Sequence, residues 1–402
     1  IDYTKRKMIP NYYEFQNTTK IISGEFAINN ISAELKFYNA SRTLLISDEI
    51  LKNIGTVTKI KDAINIDSKV KVIVEYTEVP QDSDLKIINK LAKIYKENNC
   101  DSIVAVGGGS VIDTAKGLRM LISQGEKDIN KLMGNEILKY GVHIPFVVIP
   151  TTAGTGSEVT AVAVIEDKMK NLKMEFISYF LLPDVAILDP EMTITLPRKA
   201  TASTGIDALC HAIESYTCMQ KNPISDVYAK TAIKLIAENL ENAVQNGKDK
   251  KARLAMANAS LMAGVAFSNS MVGLVHAIAH SLGAVCHIPH GDAVAIMLPY
   301  VMEYNLDKLK NEYAELLECI VSEEEYINTN KEKRAERTIE KIKKIILKLH
   351  NTAGLPAKLS DVNFSKDDFE KVAQTAINDG AIIVNPKAAE KQDIIKLLEK
   401  AY

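Results

Sequence analysis

Hydrophobic positions follow two different patterns along this 402-residue chain. Up to about residue 196, short apolar runs alternate with segments of helical spacing. Runs at 20–24, 43–47, 70–74, 102–106, 145–149, near 161–165 and at 185–188 predict strands. Between them, Ile28, Ile31 and Leu35 share one face of a predicted helix across 26–37, and amphipathic helices are expected over 86–99 and 111–123. Residues 1–19 read as an irregular polar lead-in. Strand and helix in alternation predict a mostly parallel sheet with helices on both faces. After Pro197 the spacing is helical almost throughout, in segments near 200–220, 224–246, 250–268, 273–285, 291–304, 307–321, 331–351, 366–378 and 387–401. The pattern therefore predicts an α/β domain over 1–196 and an all-α domain over 197–402.

Composition narrows the class only a little. Hydrophobic residues make up 47% and charged residues 25%, as in ordinary globular proteins, and the net charge of −2 argues against a nucleic-acid or membrane surface. Five cysteines, at 100, 210, 218, 286 and 319, have no disulfide-framework or metal-type spacing, which suits a reducing cytoplasm. There is no uncharged apolar run of 18 residues, so no transmembrane helix is expected. The chain begins at Ile1, so a processed leader would leave no trace in it. The Lys/Glu-rich stretch 322–346 reads as a solvated helix and its lead-in.

Three strand ends in the first half carry candidate chemistry. The run 43–47 ends at Asp48, where dinucleotide folds place an acid against the adenosine ribose; a helix N-cap would use the same residue, and both roles are compatible. The run 102–106 leads into Gly107-Gly-Gly-Ser110 and a helix. Strand, glycine turn and helix form a phosphate cradle, because backbone N–H groups and the helix dipole point at the anion. Neither generic nucleotide fingerprint is present, and a plain tight turn is the alternative. The run 145–149 ends in Pro150-Thr-Thr-Ala-Gly-Thr-Gly-Ser-Glu158, whose small hydroxyls can donate to a ligand. Thr155-x-x-Glu158 also resembles a capping box.

The second half holds the histidines. Four of the chain's 7 fall within 273–291. His276 and His280 are four apart and share a helix face; Pro289 and Gly291 are expected to break the helix, with His290 on the turn between them. Asp207 and His211 are likewise four apart on another predicted helix. Thr204-x-x-Asp207 alone would read as a capping box, but an Asp/His/His/His set points to a metal site.

These stretches together resemble the iron-containing (group III) alcohol dehydrogenases. The resemblance rests on Gly107-Gly-Gly-Ser-Val-Ile-Asp-Thr-Ala-Lys116, Pro150–Glu158, Leu182-Pro-Asp-Val-Ala-Ile-Leu-Asp-Pro190, Thr201–Glu214, Gly273–Ala284, His287-Ile-Pro-His-Gly291 and Asn385-Pro386. It implies a dehydroquinate synthase-like architecture. It implies that Asp207, His211, His276 and His290 bind the metal, with His280 beside the nicotinamide and the reacting oxygen. Gly108, Gly109, Ser110 and Asp113 would hold the pyrophosphate and neighbouring groups, and Thr151, Thr152, Thr155, Thr160 and Val164 would contact the cofactor. Asp48 falls where NAD-using members carry an acid, so NAD is expected over NADP. Two positions often proline in the family are Val111 and Ser281 here. Cys286 and His287, close to the metal turn, are read as packing residues or as shapers of substrate preference.

The resemblance implies reversible hydride transfer between a small primary alcohol (or diol) and NAD, with Fe(II), or Zn(II) in its place, and with His280 relaying the proton. It also implies a homodimer or a multiple of one. The rival readings are a glycerol dehydrogenase-like polyol oxidoreductase, a non-catalytic nucleotide-binding or assembly protein, and a domain of a bifunctional aldehyde–alcohol dehydrogenase. The ligand quartet argues against the first two.

Overall fold

The computed structural model describes residues 10–132, 141–167 and 172–402. Two compact units result, Gln16–Leu196 and Pro197–Tyr402, the latter joined by the lead-in that ends at Phe15. Residues 1–9 of that lead-in lie outside the described residues, and Pro10–Thr19 carry no helix or strand. Phe15 stacks on Tyr228, with ring centroids 5.9 Å apart.

The first unit runs β1 (Lys20–Ser23), α1 (Ile31–Phe37), β2 (Arg42–Ile46), α2 (Glu49–Asn53), α3 (Thr56–Asn65), β3 (Lys71–Tyr76), α4 (Leu85–Glu97), β4 (Ser102–Gly107), α5 (Gly109–Ser123), β5 (Phe146–Pro150), β6 (Val162–Asp167), β7 (Leu172–Ile177) and β8 (Val185–Leu188). Six of these strands form one parallel sheet in the order β1-β8-β5-β4-β2-β3. Its central strands are apolar on both faces, and alternate residues enter different cores. Leu44, Ile103, Ala105, Phe146 and Val148 pack under α4 and α5 with Ile88, Leu91, Ala115 and Leu118. Leu45, Val104, Val106, Val147 and Ile149 pack on the other side with Ile31, Leu35, Val57 and Ile60. Burial on both faces explains the unbroken apolar runs. Truncating one such residue, Ile103 for example, costs about 2–5 kcal/mol.

Strand order decides where a ligand can sit. From β2 the chain moves outward to β3, then returns to β4 on the other side of β2. A parallel sheet opens a crevice at such a reversal, outside the carboxyl ends of the two strands. Those ends carry Asp48 and the Gly107–Ser110 turn.

One expected sheet strand lies elsewhere. β6 pairs antiparallel with β7 as a separate hairpin, Val162 opposite Ile177 and Asp167 opposite Leu172. Its burial alternates, as suits a strand with one covered face, whereas β4 is buried along its whole length.

The second unit contains α6 (Arg198–Thr217), α7 (Pro223–Gln245), α8 (Lys250–Ser268), α9 (Leu274–Cys286), α10 (His290–Ile320), α11 (Glu323–Asn328), α12 (Arg334–Ala353), α13 (Phe369–Ala376) and α14 (Lys391–Ala401). From Gly205 to Thr217, α6 is buried on every side, so a polar side chain there must find partners within the protein. The two expected helices, 291–304 and 307–321, are the two arms of α10, which meet at a kink with non-helical backbone at Leu309 (φ −120°, ψ 20°). The cap of α7 is a reciprocal pair, Asn222 with Ser225. No helix among the described residues is long and apolar enough to cross a membrane.

Candidate functional site

At the carboxyl edge of the sheet, neighbouring strands bring the first set of residues together. Ser47, after β2, donates to the Val106 carbonyl at 2.7 Å, and Thr151 N–H, after β5, donates to the Gly107 carbonyl at 3.0 Å. Asp48 caps α2 by accepting from Leu51 N–H at 2.9 Å, so the cap role is real. The glycine turn packs directly on the threonine loop. A Cβ on Gly109 would stand 3.0 Å from Thr155 Cγ2, and one on Gly108 would stand 3.3 Å from Thr152 Cγ2. Gly109 opens α5, so its backbone N–H is among those without a partner in the helix. Ser110 Oγ is turned to the Gln81 carbonyl.

Other residues of this set face inward. The Asp113 carboxylate accepts from Ser157 Oγ at 2.7 Å and from Val164 N–H at 3.0 Å, tying α5 to the Thr/Ser loop and to β6. Burial pushes its carboxyl up, against the opposing pull of Lys116, Ser157 and Val164. Thr160 is buried, and both its hydroxyl and its carbonyl accept from Lys116 Nζ, at 2.9 and 2.8 Å; the Val162 carbonyl accepts a third bond at 2.7 Å. Burial lowers the Lys116 ammonium to about 8 and raises the nearby Glu158 carboxyl to about 7. Thr155 Oγ1 accepts from Ser157 N–H at 3.3 Å, two residues on rather than three, so the expected capping box is a tighter turn.

In the helical unit, three helices converge on Asp207. His290 Nε2 lies 3.3 Å from Asp207 Oδ1, His276 Nε2 3.7 Å and His211 Nδ1 3.9 Å. Ligand atoms of Asp207, His276 and His290 all fall within 4.8 Å of one another. His211 borders that group instead of joining it at this distance. Its ring stacks between Phe267 and His276, with centroids 4.4 Å away on either side. Asp207 Oδ1 and His276 Nε2 are buried and accept or donate no hydrogen bond. Buried polar atoms that converge without bonding one another are the signature of a cation's coordination shell. Three imidazoles and a carboxylate suit Fe(II) or Zn(II), so the residues present fit the metal. Burial would raise the Asp207 carboxyl, but the imidazoles of His211, His290 and His276 hold it well below the usual range, in the charged form a cation needs.

The local folding that aims these side chains differs from the spacing-based expectation in two respects. Thr204 lies inside α6, its hydroxyl donating to the Ala200 carbonyl at 2.9 Å, so it caps nothing. His290 is the first residue of α10 rather than part of a turn. The break comes earlier, at His287, whose left-handed φ of 56° ends α9. Gly291 is then needed for close approach: a Cβ there would meet Ser203 Oγ at 2.5 Å and its carbonyl oxygen at 2.9 Å. That contact lets α10 start against α6, where Ser203 and Lys199 also hold Asp292, at 3.0 and 3.2 Å.

Two carboxylates support the histidines from behind. Glu214 accepts from His276 Nδ1 at 2.6 Å, from Gly273 N–H at 2.8 Å and from Val275 N–H at 2.7 Å. It thus satisfies the N-terminus of α9 and directs the His276 Nε2 lone pair at Asp207. Cys210 Sγ is 3.8 Å from the same Nδ1. Cys210, Glu214 and His276 also lie close enough to suggest a second ion site. The 2.6 Å contact is a hydrogen bond, however, and identifies this cluster as support for the first. Asp379 accepts from His280 Nδ1 at 2.8 Å. Neither role, that of Glu214 or that of Asp379, is predicted from the sequence. Their partners are 62 and 99 residues away, so no local spacing signals them.

Comparison with known proteins defines the class as alcohol dehydrogenase. Residues 18–190 match the model of iron-containing alcohol dehydrogenase, and residues 201–402 match that of the C-terminal part of the Fe-containing alcohol dehydrogenase family. Over 381 residues the chain is 35% identical to the NAD-dependent methanol dehydrogenase of Bacillus methanolicus, covering 94% of this chain and 97% of that protein. It is also 35% identical over 381 residues to the 1,3-propanediol dehydrogenase of Citrobacter freundii, covering 94% and 96%. The solved structure of sulfoacetaldehyde reductase from Bifidobacterium kashiwanohense, in complex with NAD+, superposes with a TM-score of 0.87 at 26% identity, covering 98% of this chain and 99% of that one. The chain belongs to the iron-containing alcohol dehydrogenase family.

Proposed function

We propose that this alcohol dehydrogenase interconverts a small primary alcohol, or a diol such as the C3 diol of its relative, with the aldehyde, using NAD. The observation that carries the reading is the convergence of His211, His276 and His290 nitrogens on the buried Asp207 oxygen, 3.3–3.9 Å away. These four residues would hold Fe(II), with Zn(II) as the substitute. When bound, the metal supplies Lewis acidity toward the alcohol oxygen, and NAD supplies the hydride acceptor.

The remaining work falls to side chains of this chain. Glu214 keeps the proton of His276 on Nδ1, so the other nitrogen is free to ligate. His280, one turn further along α9, takes the proton of the alcohol and returns it in the reverse direction. Gly108, Gly109 and Ser110 offer backbone N–H groups to the pyrophosphate at the start of α5, while the Ser110 hydroxyl is held by the Gln81 carbonyl. Thr151, Thr152 and Thr155 line the adjoining loop for the cofactor. Asp113, Thr160 and Val164 act less directly: their hydrogen bonds to Ser157, Lys116 and Asp113 hold that loop and β6 in place. Asp48 accepts from the ribose hydroxyls and repels a 2′-phosphate, which favours NAD over NADP. The five cysteines are free, which supports a reducing, cytoplasmic setting, and the family resemblance supports a homo-oligomer.

The test is NADH oxidation with a panel of short aldehydes by metal-stripped protein, to which Fe(II) or Zn(II) is restored under anaerobic conditions. The expected result is turnover that depends on added metal. Absence of turnover with either metal, despite tight NADH binding, would sink the reading.

A further inference from the structure

His276 and His280 sit one turn apart on α9, and each donates Nδ1 to a carboxylate. For His280 the partner is Asp379, on the turn after α13, with Oδ2 at 2.8 Å. Its other oxygen accepts from Ala381 N–H at 2.9 Å. The segment that follows is fastened to the helical unit. Met219 N–H donates to the Val384 carbonyl at 2.8 Å, and Asn385 Oδ1 accepts from Leu274 N–H at 3.3 Å and from Asn305 Nδ2 at 3.1 Å. Asp379 is therefore part of a fixed strap along α9.

The chemistry of this pair has one direction. Burial would push the Asp379 carboxyl up, but the hydrogen bond and charge of His280 hold it below its ordinary value, so it is ionised. An ionised carboxylate only accepts, so His280 Nδ1 carries a proton and Nε2 carries the lone pair. The His280 side chain is 34% exposed, and its ring lies over His290, with centroids 5.3 Å apart. The grip of Asp379 thus sets both the tautomer and the tilt of a ring that borders the ligand cluster.

We propose that Asp379 is the positioning residue for the proton relay: it holds His280 in the Nδ1–H tautomer with Nε2 turned to the reacting alcohol. The proposal rests on the reading of His280 as the relay. In the oxidative direction the alcohol O–H bond breaks and its proton passes to Nε2. The C–H bond breaks, its electron pair leaves as hydride to NAD+, and the carbon–oxygen double bond forms. NAD+ is reduced, the alcohol is oxidised, and His280 then releases the proton to water. The Asp379 charge stabilises the imidazolium while it exists.

Asp379→Asn separates positioning from folding. The amide oxygen can still accept from Ala381 N–H, but the amide nitrogen then faces Nδ1 and can only donate, which forces the proton to Nε2. The expected result is a fall in kcat of about 10²-fold, at the lower end of what a positioned acid–base group contributes. KM for NADH and for aldehyde should change by less than about threefold, because no binding group is lost. A second readout is independent of activity. In zinc-loaded protein labelled with 15N-histidine, the His280 signals, assigned with His280→Ala, should switch from the Nδ1–H to the Nε2–H pattern in Asp379→Asn.

An unchanged tautomer, or kcat within about threefold of wild type, would overturn the proposal. It would equally fall if Asp379→Asn cost the same factor in a His280→Ala background, since that is the mark of a general structural role. Wild-type kcat in His280→Ala alone would instead sink the relay reading, and the tautomer measurement would still judge the Asp379–His280 contact by itself.

Discussion

Replacing Glu214 with glutamine removes one acceptor from a site that uses both. Oε2 serves Gly273 N–H and His276 Nδ1–H, and Oε1 serves Val275 N–H. If the amide oxygen of the variant takes the Oε2 position, its NH2 group faces Val275 N–H, donor against donor. If it takes the Oε1 position, two donors lose their acceptor. At best, then, one buried N–H is orphaned, which costs about 1–3 kcal/mol. The variant also loses an anion at the N-terminus of α9, worth up to about 2 kcal/mol in a partly buried setting. Together these give roughly 1–5 kcal/mol, or a Tm lower by about 2–20 °C for a unit of some 200 residues. The backing of His276 loosens as well, and outer partners of this kind are worth about 10–100-fold in metal affinity. Calorimetry on metal-free protein measures the first effect, and anaerobic competition with a chromogenic chelator measures the second. A Glu214→Gln protein with wild-type Tm and wild-type metal affinity would refute the reasoning.

Other perturbations separate other parts of the account. Asp48→Asn keeps an acceptor for Leu51 N–H, so α2 stays capped; without the charge, the ratio of kcat/KM for NADPH to that for NADH should rise at least about tenfold, which corresponds to 1.4 kcal/mol. Steady-state kinetics with the two cofactors checks this, and an unchanged ratio would remove Asp48 from the ribose site. Glu158 in the folded protein holds its proton up to about pH 7, while an unfolded glutamate loses it near 4.5, so wild-type stability should fall as pH rises between those values. Glu158→Gln has no proton to lose, and the stability difference in its favour should grow by on the order of 3 kcal/mol from pH 4.5 to 7. Denaturation at the two pH values reads this directly, and a difference that does not move with pH would show that Glu158 is ionised throughout. Gly291→Ala should push α10 away from Ser203 and weaken metal binding more than NADH binding, as paired titrations would show.

Local signals and long-range ones divided unevenly between sequence and structure. The strands at 43–47, 102–106 and 145–149 were legible because burial on both faces leaves unbroken apolar runs. Asp207 with His211, and His276 with His280, were legible because helical spacing is local. The start of α10 was legible to within a residue, but the place of His290 was not: Pro289 and Gly291 look like helix breakers, yet the proline precedes the helix, the glycine serves close packing, and His287 makes the break. In β7, Leu172, Met174 and Phe176 alternate with polar residues, a usable strand signal beside a lysine-rich stretch that obscured it. Asp113 sits in a motif, and Thr160 two residues beyond one, for which the family resemblance implies direct cofactor contact, and only the structure shows their polar atoms engaged by Ser157, Val164 and Lys116. Glu214 and Asp379 act across long sequence separations, which no local pattern encodes.

The central claim is that Asp207, His211, His276 and His290 hold one catalytic metal ion. Crystals of the protein grown anaerobically with Fe(II), and measured at the iron absorption edge, test it most directly. The account predicts a single strong anomalous peak about 2.0–2.3 Å from Asp207 Oδ1, His276 Nε2 and His290 Nε2, with a His211 nitrogen completing the shell. A peak elsewhere in the molecule, or none at this cluster in crystals of protein that turns over, would contradict it.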